Sequence, residues 1–579
     1  MADDFRPRRW RSGLTLAGLS LMTLVLTVVG QIWPLAYGFP LPPVRAPALT
    51  EYANVHAYNL GTTTLTQQGV ADPFQTMPLP LTGVIALPDG EGPFPLVVVL
   101  HGRHEGCHFA PEGQSQWPCA PGTETRFDVG FAALAQGLAE AGYGVLAPNL
   151  NAAFSETYGA TDETRNDLAD QRSPQIIDAH LTRLAEANEG QSIDFGIALA
   201  GQIDLSTIAI VGHSMGGGAA ALSALSRQPN VSAAALAAGL GPVSALVLVS
   251  PTRSQPIEQR PEVYALPDVP SAVLVGGCDR DIFDLSSLYF FETASQAPSR
   301  TSLATSVLLL GANHNYFNGA ISEDDYYRLA DNAPLCNPQQ SSQRLSRVAQ
   351  EAFLSQYVQG FLNAVLKAPE HAEGLVKLGL APDRAAPGKL FGQPVLTNLA
   401  MPANHRYAAF SAAVDPPDHA ITDDLILEHC PGGAPCGGRP RPWPKFPAVL
   451  RVTWATDAAR LRIPLATANM SGFDSLQLRL ALDSSAPHST AGTGLAVLLH
   501  DSAGQAVRVD IPPTTPALHQ FEPDPAQGYS AVPVYPTALR IPLGQFYGID
   551  LTTLTAVELV FDQAPQGTIY LATVEFVGG

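Results

Sequence analysis

Short apolar runs alternate with longer helical patterns between residues 81 and 366. The helical patterns, rich in Ala and Leu, cover residues 129–141, 173–189, 215–227 and 341–366. Apolar runs rich in Val, Ile and Leu lie around them, at residues 82–87, 96–100, 144–147, 208–211, 245–249, 272–275 and 306–310. This alternation is typical of a mostly parallel sheet with helices on both faces. We therefore predict an α/β domain.

The pattern changes after residue 367. A connection rich in Pro, Gly and Ala reaches about residue 447, and short apolar segments punctuated by turn residues follow, at 449–454, 476–482, 494–499, 538–542, 556–561 and 568–576. Such spacing is typical of an all-β sandwich. The sequence thus predicts a targeting segment with a Pro-rich linker at 1–47, an α/β domain at 48–385, a linker at 386–447 and a β-sandwich at 448–579.

Length and charge narrow the function classes. A chain of 579 residues is longer than a single hydrophobic core usually supports, so at least two domains are expected. The formal net charge is −20, and no cluster of Lys and Arg occurs beyond the first dozen residues. Because a nucleic-acid partner requires a basic face, we expect none here.

The N-terminus has the pattern of an export segment. An uncharged apolar run covers residues 14–32 and follows four arginines, Arg6, Arg8, Arg9 and Arg11. The run is long enough to stay as a membrane anchor, whereas small residues near Ala36 would suit cleavage of a signal peptide. A buried core helix is the remaining alternative. In either export case we expect the folded part to lie outside the cytoplasm.

The six cysteines fit an oxidising compartment. Proximity in the sequence suggests one pair between Cys107 and Cys119 and another between Cys430 and Cys436, which leaves Cys278 for Cys336. No zinc pattern is visible, because the loop between Cys430 and Cys436 has no second pair of ligands. We expect disulfides rather than a metal site.

One stretch carries the strongest chemical prediction. Residues 208–218 read I-A-I-V-G-H-S-M-G-G-G, so an apolar strand leads into a serine between two glycines and then into a helical run. This is the pattern of a nucleophile elbow, in which Gly212 and Gly216 permit a tight turn and Ser214 presents its hydroxyl above the sheet edge. We predict that Ser214 is a nucleophile.

A serine nucleophile needs a histidine to take its proton and an acid to orient that histidine. His314 follows the last predicted sheet strand, in G-A-N-H, and we expect it to be the general base. The preceding strand opens into G-G-C-D-R-D-I, which offers Asp279 and Asp281. Spacing to the aliphatic Ile282 favours Asp279 as the acid; alternatively, one of these aspartates caps the helix that begins near Asp284.

The developing oxyanion requires two hydrogen-bond donors. The backbone N–H of Met215 is the first candidate, and that of Arg103 the second, since Gly102 lets the chain turn closely after the strand at 96–100. Three histidines crowd this loop and suggest a metal site as an alternative: His101, His104 and His108. We do not favour it, because the loop lacks an acid at helical spacing and also holds Cys107 and Cys119.

With these motifs, residues 72–366 resemble the α/β-hydrolase superfamily, and within it secreted esterases of the cutinase, polyester-hydrolase and chlorophyllase-like type. The resemblance lies in G-H-S-M-G-G-G and G-A-N-H. It implies a catalytic triad and an oxyanion hole at the matching positions, Ser214, Asp279, His314, Met215 and Arg103. The acid loop departs from the pattern, because Arg280 stands where polyester hydrolases have the aspartate. The segment 151–172 is also absent from that core pattern.

The last forty residues, including L-R-I-P-L-G-Q-F-Y-G-I-D-L and G-T-I-Y-L-A-T-V-E-F, resemble the final strands of a galactose-binding-like jelly roll. The resemblance implies either carbohydrate binding or a structural, interface role. Trp454, Tyr529 and Tyr547 are expected to fill the sandwich core, with stacking on a sugar as the alternative.

The sequence therefore predicts an exported serine hydrolase that cleaves carboxylic esters through an acyl-enzyme, without a cofactor. Its expected partners are a small or polymeric ester, a carbohydrate on the C-terminal domain, and a membrane if the N-terminal segment is retained. Two alternatives remain. One is an acyltransferase acting on cell-envelope glycans or lipids, and the other is a surface glycan-binding protein without catalysis.

Overall fold

The structure is a computed structural model. It describes residues 48–104, 106–107, 117–161, 164–227, 240–253, 261–328, 336–337, 341, 343–367, 372–414, 420–421, 424–431, 447–466, 469–483, 493–518, 523–524, 529–530 and 535–579. The apolar run at 14–32, expected to be a signal or anchor, lies outside these ranges. Within them, no helix has the length and apolar character needed to cross a membrane.

A ten-stranded sheet forms the centre of the α/β part. Its strands are β1 (Val55–Thr66), β2 (Thr76–Ala86), β3 (Phe94–Leu100), β4 (Gly144–Pro148), β5 (Ile203–His213), β6 (Val243–Val249), β7 (Ser271–Gly276), β8 (Ala304–Leu309), β9 (Lys389–Leu390) and β10 (Gln393–Ala400). They lie in the order β1-β2-β4-β3-β5-β6-β7-β8-β10-β9. The six strands from β4 to β8 in this order run parallel, and the flanking pairs are antiparallel.

Helices cover both faces of this sheet: α1 (Ala132–Glu140), α2 (Arg165–Asn188), α3 (Met215–Ser226), α4 (Tyr289–Gln296), α5 (Arg347–Leu366) and α6 (Ala372–Lys377). Side chains alternate along each strand, so Ile208 and Ile210 pack with α2 and α3 on one face. Ala209 and Val211 pack with α1 and α5 on the other. Because both faces are buried there, residues 208–211 of β5 form a continuous apolar run.

The C-terminal part is a sandwich of antiparallel strands. They are β11 (Arg406–Ser411), β12 (Ala420–Ile421), β13 (Leu425–Cys430), β14 (Val449–Trp454), β15 (Arg460–Pro464), β16 (Ser475–Leu482), β17 (Leu495–Asp501), β18 (Ala506–Ile511), β19 (Pro523–Asp524), β20 (Tyr529–Ser530), β21 (Thr537–Pro542), β22 (Leu554–Val560) and β23 (Gly567–Val577). One sheet has the order β13-β14-β23-β16-β21, with β11 also paired to β23, and the other has the order β12-β15-β22-β17-β18. Their inner faces share one apolar core.

The expectation of a linker at 386–447 is corrected by this topology. Strand β10 pairs with β8 and extends the α/β sheet, while β11 and β13 pair with sandwich strands. The segment belongs to the two sheets because its backbone forms hydrogen bonds with these neighbouring strands. Its own sequence has no clear helical or strand periodicity. The described parts of residues 386–447 are therefore strands of the two sheets and the connections between them, not a separate linker.

Candidate active site

Ser214 occupies a strained turn between β5 and α3. Its backbone has φ 57° and ψ −130°, a conformation that costs a non-glycine residue on the order of 1–3 kcal/mol. The turn is held by its own backbone: Ser214 donates to the Val249 carbonyl at 2.9 Å and accepts from the amides of Gly217 and Thr252. A Cβ at Gly212 would overlap the carbonyl of Gly216, so the turn requires glycine there.

The loop after β3 approaches this turn closely. A Cβ built on Gly102 would lie 2.5 Å from Ser214 Cβ and 3.0 Å from its Oγ, so only glycine fits beside the hydroxyl. Arg103 follows directly, and its amide lies on the loop that meets the serine. Met215 is the first residue of α3, so its N–H has no acceptor within the helix. The structure therefore brings both predicted oxyanion residues to the turn that carries Ser214.

His314 and Asp279 meet between the loops that follow β8 and β7. His314 Nδ1 lies 2.8 Å from Asp279 Oδ2, and both side chains are buried. The other oxygen of Asp279 accepts from the Ile282 amide at 2.7 Å, which fixes the carboxylate in its own loop. Asp279 thus contacts the histidine on one side and closes a turn on the other.

Asp281, the alternative acid, lies on the opposite side of the imidazole. Its Oδ2 is 3.4 Å from His314 Nε2, and its side chain is 63% exposed. Burial by itself would lower the pKa of His314, but Asp279, Asp281 and Asp325 outweigh burial and raise the pKa to about 9. At this pKa the protonated form of the imidazole predominates at neutral pH.

The described side chains of Ser214 and His314 form no direct hydrogen bond, and the two residues are linked through His213. Among the described residues, His314 Nε2 is buried and makes no hydrogen bond, although it lies in ionic contact with Asp281 Oδ2 at 3.4 Å. The ring of His213, the residue before the serine, lies 4.8 Å from the His314 ring, and its Nε2 donates to the His314 carbonyl at 3.0 Å. Catalytic hydrogen bonds are often long in enzymes without substrate, so this arrangement is compatible with proton transfer.

His213 is a site residue that the sequence did not single out. Burial lowers its pKa well below the ordinary value, and the neighbouring His314 lowers it further. A neutral ring that donates to the His314 backbone links the serine turn to the histidine loop. Its position in G-H-S-M-G was the available clue.

The histidine loop has further support that sequence reasoning missed. Gln350 of α5 donates its side-chain amide to the Asn313 carbonyl at 2.7 Å and accepts from the Asn313 N–H at 3.1 Å. Asp325 accepts from the backbone amide of His314 at 3.1 Å. These contacts fix the loop in the interior, where backbone N–H and C=O groups without hydrogen bonds would lower the stability of the fold.

The histidines proposed for a metal alternative have other contacts. Both ring nitrogens of His101 are used: Nδ1 donates to the Gly102 carbonyl at 2.8 Å, and Nε2 accepts from the Leu150 amide at 2.7 Å. His104 packs against the Phe127 ring. His108 lies outside the described residues, and the described ones contain no metal-binding group of His, Cys, Asp and Glu.

Two of the predicted disulfides are present. Cys107 joins Cys119 beside the Arg103 loop, and Cys278 joins Cys336 at the start of the acid loop. Cys436, the expected partner of Cys430, lies outside the described residues. The disulfide at Cys278 adjoins Asp279 and therefore restrains the acid loop.

Arg103 also faces the segment 151–172. Its guanidinium forms an ion pair with Glu156, which lies 3.7 Å from Arg165 as well. All three side chains are partly exposed. They give the region next to the proposed oxyanion amide a polar wall rather than an apolar one.

The three aromatic residues considered for the sandwich differ. Trp454 is buried and stacks on Phe561 with ring centroids 4.6 Å apart, as expected for a core residue. Tyr547 is 91% exposed, so the expectation of a core position is wrong there, because the residue follows the short helical turn Leu543–Gln545 at the surface. The side chain of Tyr529 lies outside the described residues.

Comparisons with known proteins add little beyond the fold. No protein-family model matches the chain, and no curated protein matches it. Among solved structures, a hyperthermophilic esterase from Pyrobaculum calidifontis is similar over 48% of this chain and 84% of its own, with 15% identity and a TM-score of 0.28. A structure from an analysis of two fungal esterases of Rhizomucor miehei is similar over 55% and 84%, with 15% identity and a TM-score of 0.30.

Carbohydrate-binding modules are also among the similar solved structures. A family 11 carbohydrate-binding module from Clostridium thermocellum, solved with a β-1,3-1,4-mixed-linked tetrasaccharide, covers 28% of this chain and 96% of its own, with 8% identity and a TM-score of 0.18. TM-scores this low carry no argument about function. The strand order, the elbow and the antiparallel sheets described above identify an α/β-hydrolase fold followed by a β-sandwich.

Proposed function

We propose that this protein is a serine hydrolase of carboxylic esters. The observation that carries the proposal is the strained backbone of Ser214 at the end of β5, next to His213, whose ring contacts a buried His314 that is paired with Asp279. Strain of this kind persists where the surroundings impose it, and it clusters at active sites. The close approach of Gly102 to the Ser214 hydroxyl supports the proposal further, because the Arg103 amide directly follows Gly102 in the chain.

In the proposed reaction, Ser214 Oγ forms a bond to the ester carbonyl carbon while His314 Nε2 takes the hydroxyl proton. The amides of Met215 and Arg103 stabilise the negative charge on the carbonyl oxygen. The carbon–oxygen bond to the alcohol then breaks, and the alcohol leaves with the proton from His314. Water then attacks the carbonyl carbon of the acyl-enzyme while His314 takes a proton from it. The bond between Ser214 Oγ and that carbon breaks, Ser214 regains its proton from His314, and the acid is released. Asp279 holds the imidazole proton on Nδ1 throughout.

We further propose that the chain acts outside the cytoplasm, as a secreted or membrane-anchored esterase of the cutinase-like type. The disulfides Cys107–Cys119 and Cys278–Cys336 support this, because they persist in oxidising compartments. The substrate is a small or polymeric ester. A carbohydrate partner for the sandwich stays a prediction.

The test is turnover of chromogenic esters with short, medium and long acyl chains by the full chain and by Ser214→Ala. We expect the substitution to reduce kcat/KM at least about a thousandfold. Equal rates would contradict the proposal and would favour the non-catalytic alternative. Product analysis with added alcohols separates hydrolysis from acyl transfer, since a transferase would form the new ester.

A further inference from the structure

A third acid, Asp325, lies behind the pair of His314 and Asp279. It begins the short 3-10 turn Asp325–Arg328 and is only 6% exposed. Its carboxylate accepts three backbone N–H groups. Oδ2 accepts from Arg280 at 2.8 Å, and Oδ1 accepts from His314 at 3.1 Å and from Asn315 at 3.2 Å.

These three bonds join two separate loops. Arg280 belongs to the loop after β7 and directly follows Asp279, whereas His314 and Asn315 belong to the loop after β8. One buried carboxylate therefore fixes the backbone on both sides of the 2.8 Å contact between Asp279 and His314. Bonds from N–H groups to a charged acceptor are stronger than neutral ones.

The neighbouring Asp324 has a different role. Its Oδ2 lies 2.5 Å from Arg344 Nη2, so its charge is paired, and its Oδ1 accepts from the Asn313 side chain at 2.9 Å. Asp324 is as buried as Asp325 but makes no contact with the acid loop among its described bonds. Asp324 and Asp325 are therefore equally buried neighbours, of which only Asp325 is bonded to the acid loop among the described contacts.

We propose that Asp325 is a positioning residue of this active site: a carboxylate clamp that holds the acid loop and the histidine loop in register and stabilises the imidazolium. The inference rests on the proposed ester hydrolysis. The described hydrogen bonds of Asp325 all come from backbone amides, so it acts through the backbone of the loops that carry Asp279 and His314.

The charges around His314 are consistent with this role. Asp279 and Asp281 face it from the acid loop, Asp325 from the following turn, and the neutral His213 from the serine turn. From α5, the uncharged Gln350 reaches the same loop. Burial and Asp279 raise the pKa of Asp325 to about 6, so the clamp is ionised at neutral pH.

The experiment compares Asp325→Asn with the matched control Asp324→Asn. Asparagine at 325 offers one acceptor oxygen and one NH2, so a donor would then face the Arg280 or His314 amide. We measure kcat and KM against pH, and follow the ring of His314 by nitrogen-15 NMR titration, a readout that needs no turnover.

For Asp325→Asn we expect kcat on the high-pH plateau to fall about tenfold or more, KM to stay unchanged, and the pKa of His314 to fall by about 1. For Asp324→Asn we expect lower thermal stability and an unmoved pKa of His314. Equal changes in both variants, or a wild-type pKa in Asp325→Asn, would overturn the proposal. Wild-type turnover that survives Ser214→Ala would instead overturn the proposed function.

A measurement on the wild type keeps the proposal testable if Asp325→Asn does not fold. With selective nitrogen-15 labelling of Arg, His and Asn, the amide signals of Arg280, His314 and Asn315 should titrate together with one midpoint near pH 6. Three unrelated midpoints for these amides would overturn the clamp.

Discussion

His314 Nδ1 and Asp279 Oδ2 lie 2.8 Å apart, at the ends of the adjacent parallel strands β8 and β7. Because the carboxylate holds the Nδ1 proton, the lone pair of the neutral ring is on Nε2, the nitrogen that takes the serine proton in the proposed reaction. The exposed Asp281 instead contacts Nε2, with its Oδ2 at 3.4 Å. The two aspartates that follow β7 therefore act on opposite ends of one imidazole.

This arrangement predicts an alkaline pH profile. The pKa of His314 is raised to about 9, so the protonated, inactive form predominates below that value. We expect kcat/KM to rise about tenfold per pH unit between about 7 and 9 and then to level off. A midpoint at or below the ordinary histidine pKa would contradict the electrostatic account.

Asp281→Asn should move that midpoint to lower pH, because removal of a carboxylate 3.4 Å from Nε2 destabilises the imidazolium. The side chain is 63% exposed, so the displacement should be smaller in 1 M salt than in dilute buffer. The measurement is the pH profile of kcat/KM at both salt concentrations. A displacement upward, or none at either salt concentration, would show that Asp281 does not act on His314.

Gly102→Ala should impair the reaction while the protein still folds. The added methyl group would lie 2.5 Å from Ser214 Cβ, so the loop must retreat and take the Arg103 amide with it. We expect kcat to fall about a hundredfold, as for loss of an oxyanion donor. Gly472→Ala is the control, because a Cβ there meets no atom within 4 Å. Equal activity of the two variants would contradict the proposed oxyanion loop.

Arg479→Met should destabilise the whole molecule. Arg479 of β16 forms a buried ion pair with Glu292 of α4, and Tyr535 donates its hydroxyl to the same carboxylate. Removing the guanidinium leaves a buried charge uncompensated, which costs about 3–5 kcal/mol of unfolding free energy. Urea unfolding measures the loss.

The control for this prediction is Arg508→Met. Arg508 pairs with Asp562 at the surface of the sandwich, with side chains 38% and 28% exposed, so its loss should cost less than about 1 kcal/mol. Similar losses for both variants would contradict the prediction that this buried pair is needed for stability.

The central parallel strands and the serine turn could be predicted from the sequence, because both faces of the sheet are buried and the elbow needs glycines. Strand β1 was missed because its Thr-rich residues are largely exposed and lack apolar alternation. Strands β9 and β10 were missed because they follow a Pro- and Gly-rich connection. Their pairing with the edge strand β8 is a long-range contact that local periodicity does not encode.

In the site, Ser214, Asp279 and His314 could be placed because each follows a predicted strand. Asp325 could not, since an acidic run such as E-D-D normally indicates a solvated surface. Only the folded chain brings three backbone amides to its carboxylate. His213 was overlooked for a related reason: its bond to the His314 carbonyl spans 101 residues of sequence.

The most direct measurement is labelling of the full chain with a serine-reactive phosphonate, followed by mass spectrometry of the peptides. The account predicts one phosphonate per chain, located on Ser214, with labelling that slows below pH 9 as His314 becomes protonated. Absence of labelling in a folded protein, or labelling that persists in Ser214→Ala, would contradict it.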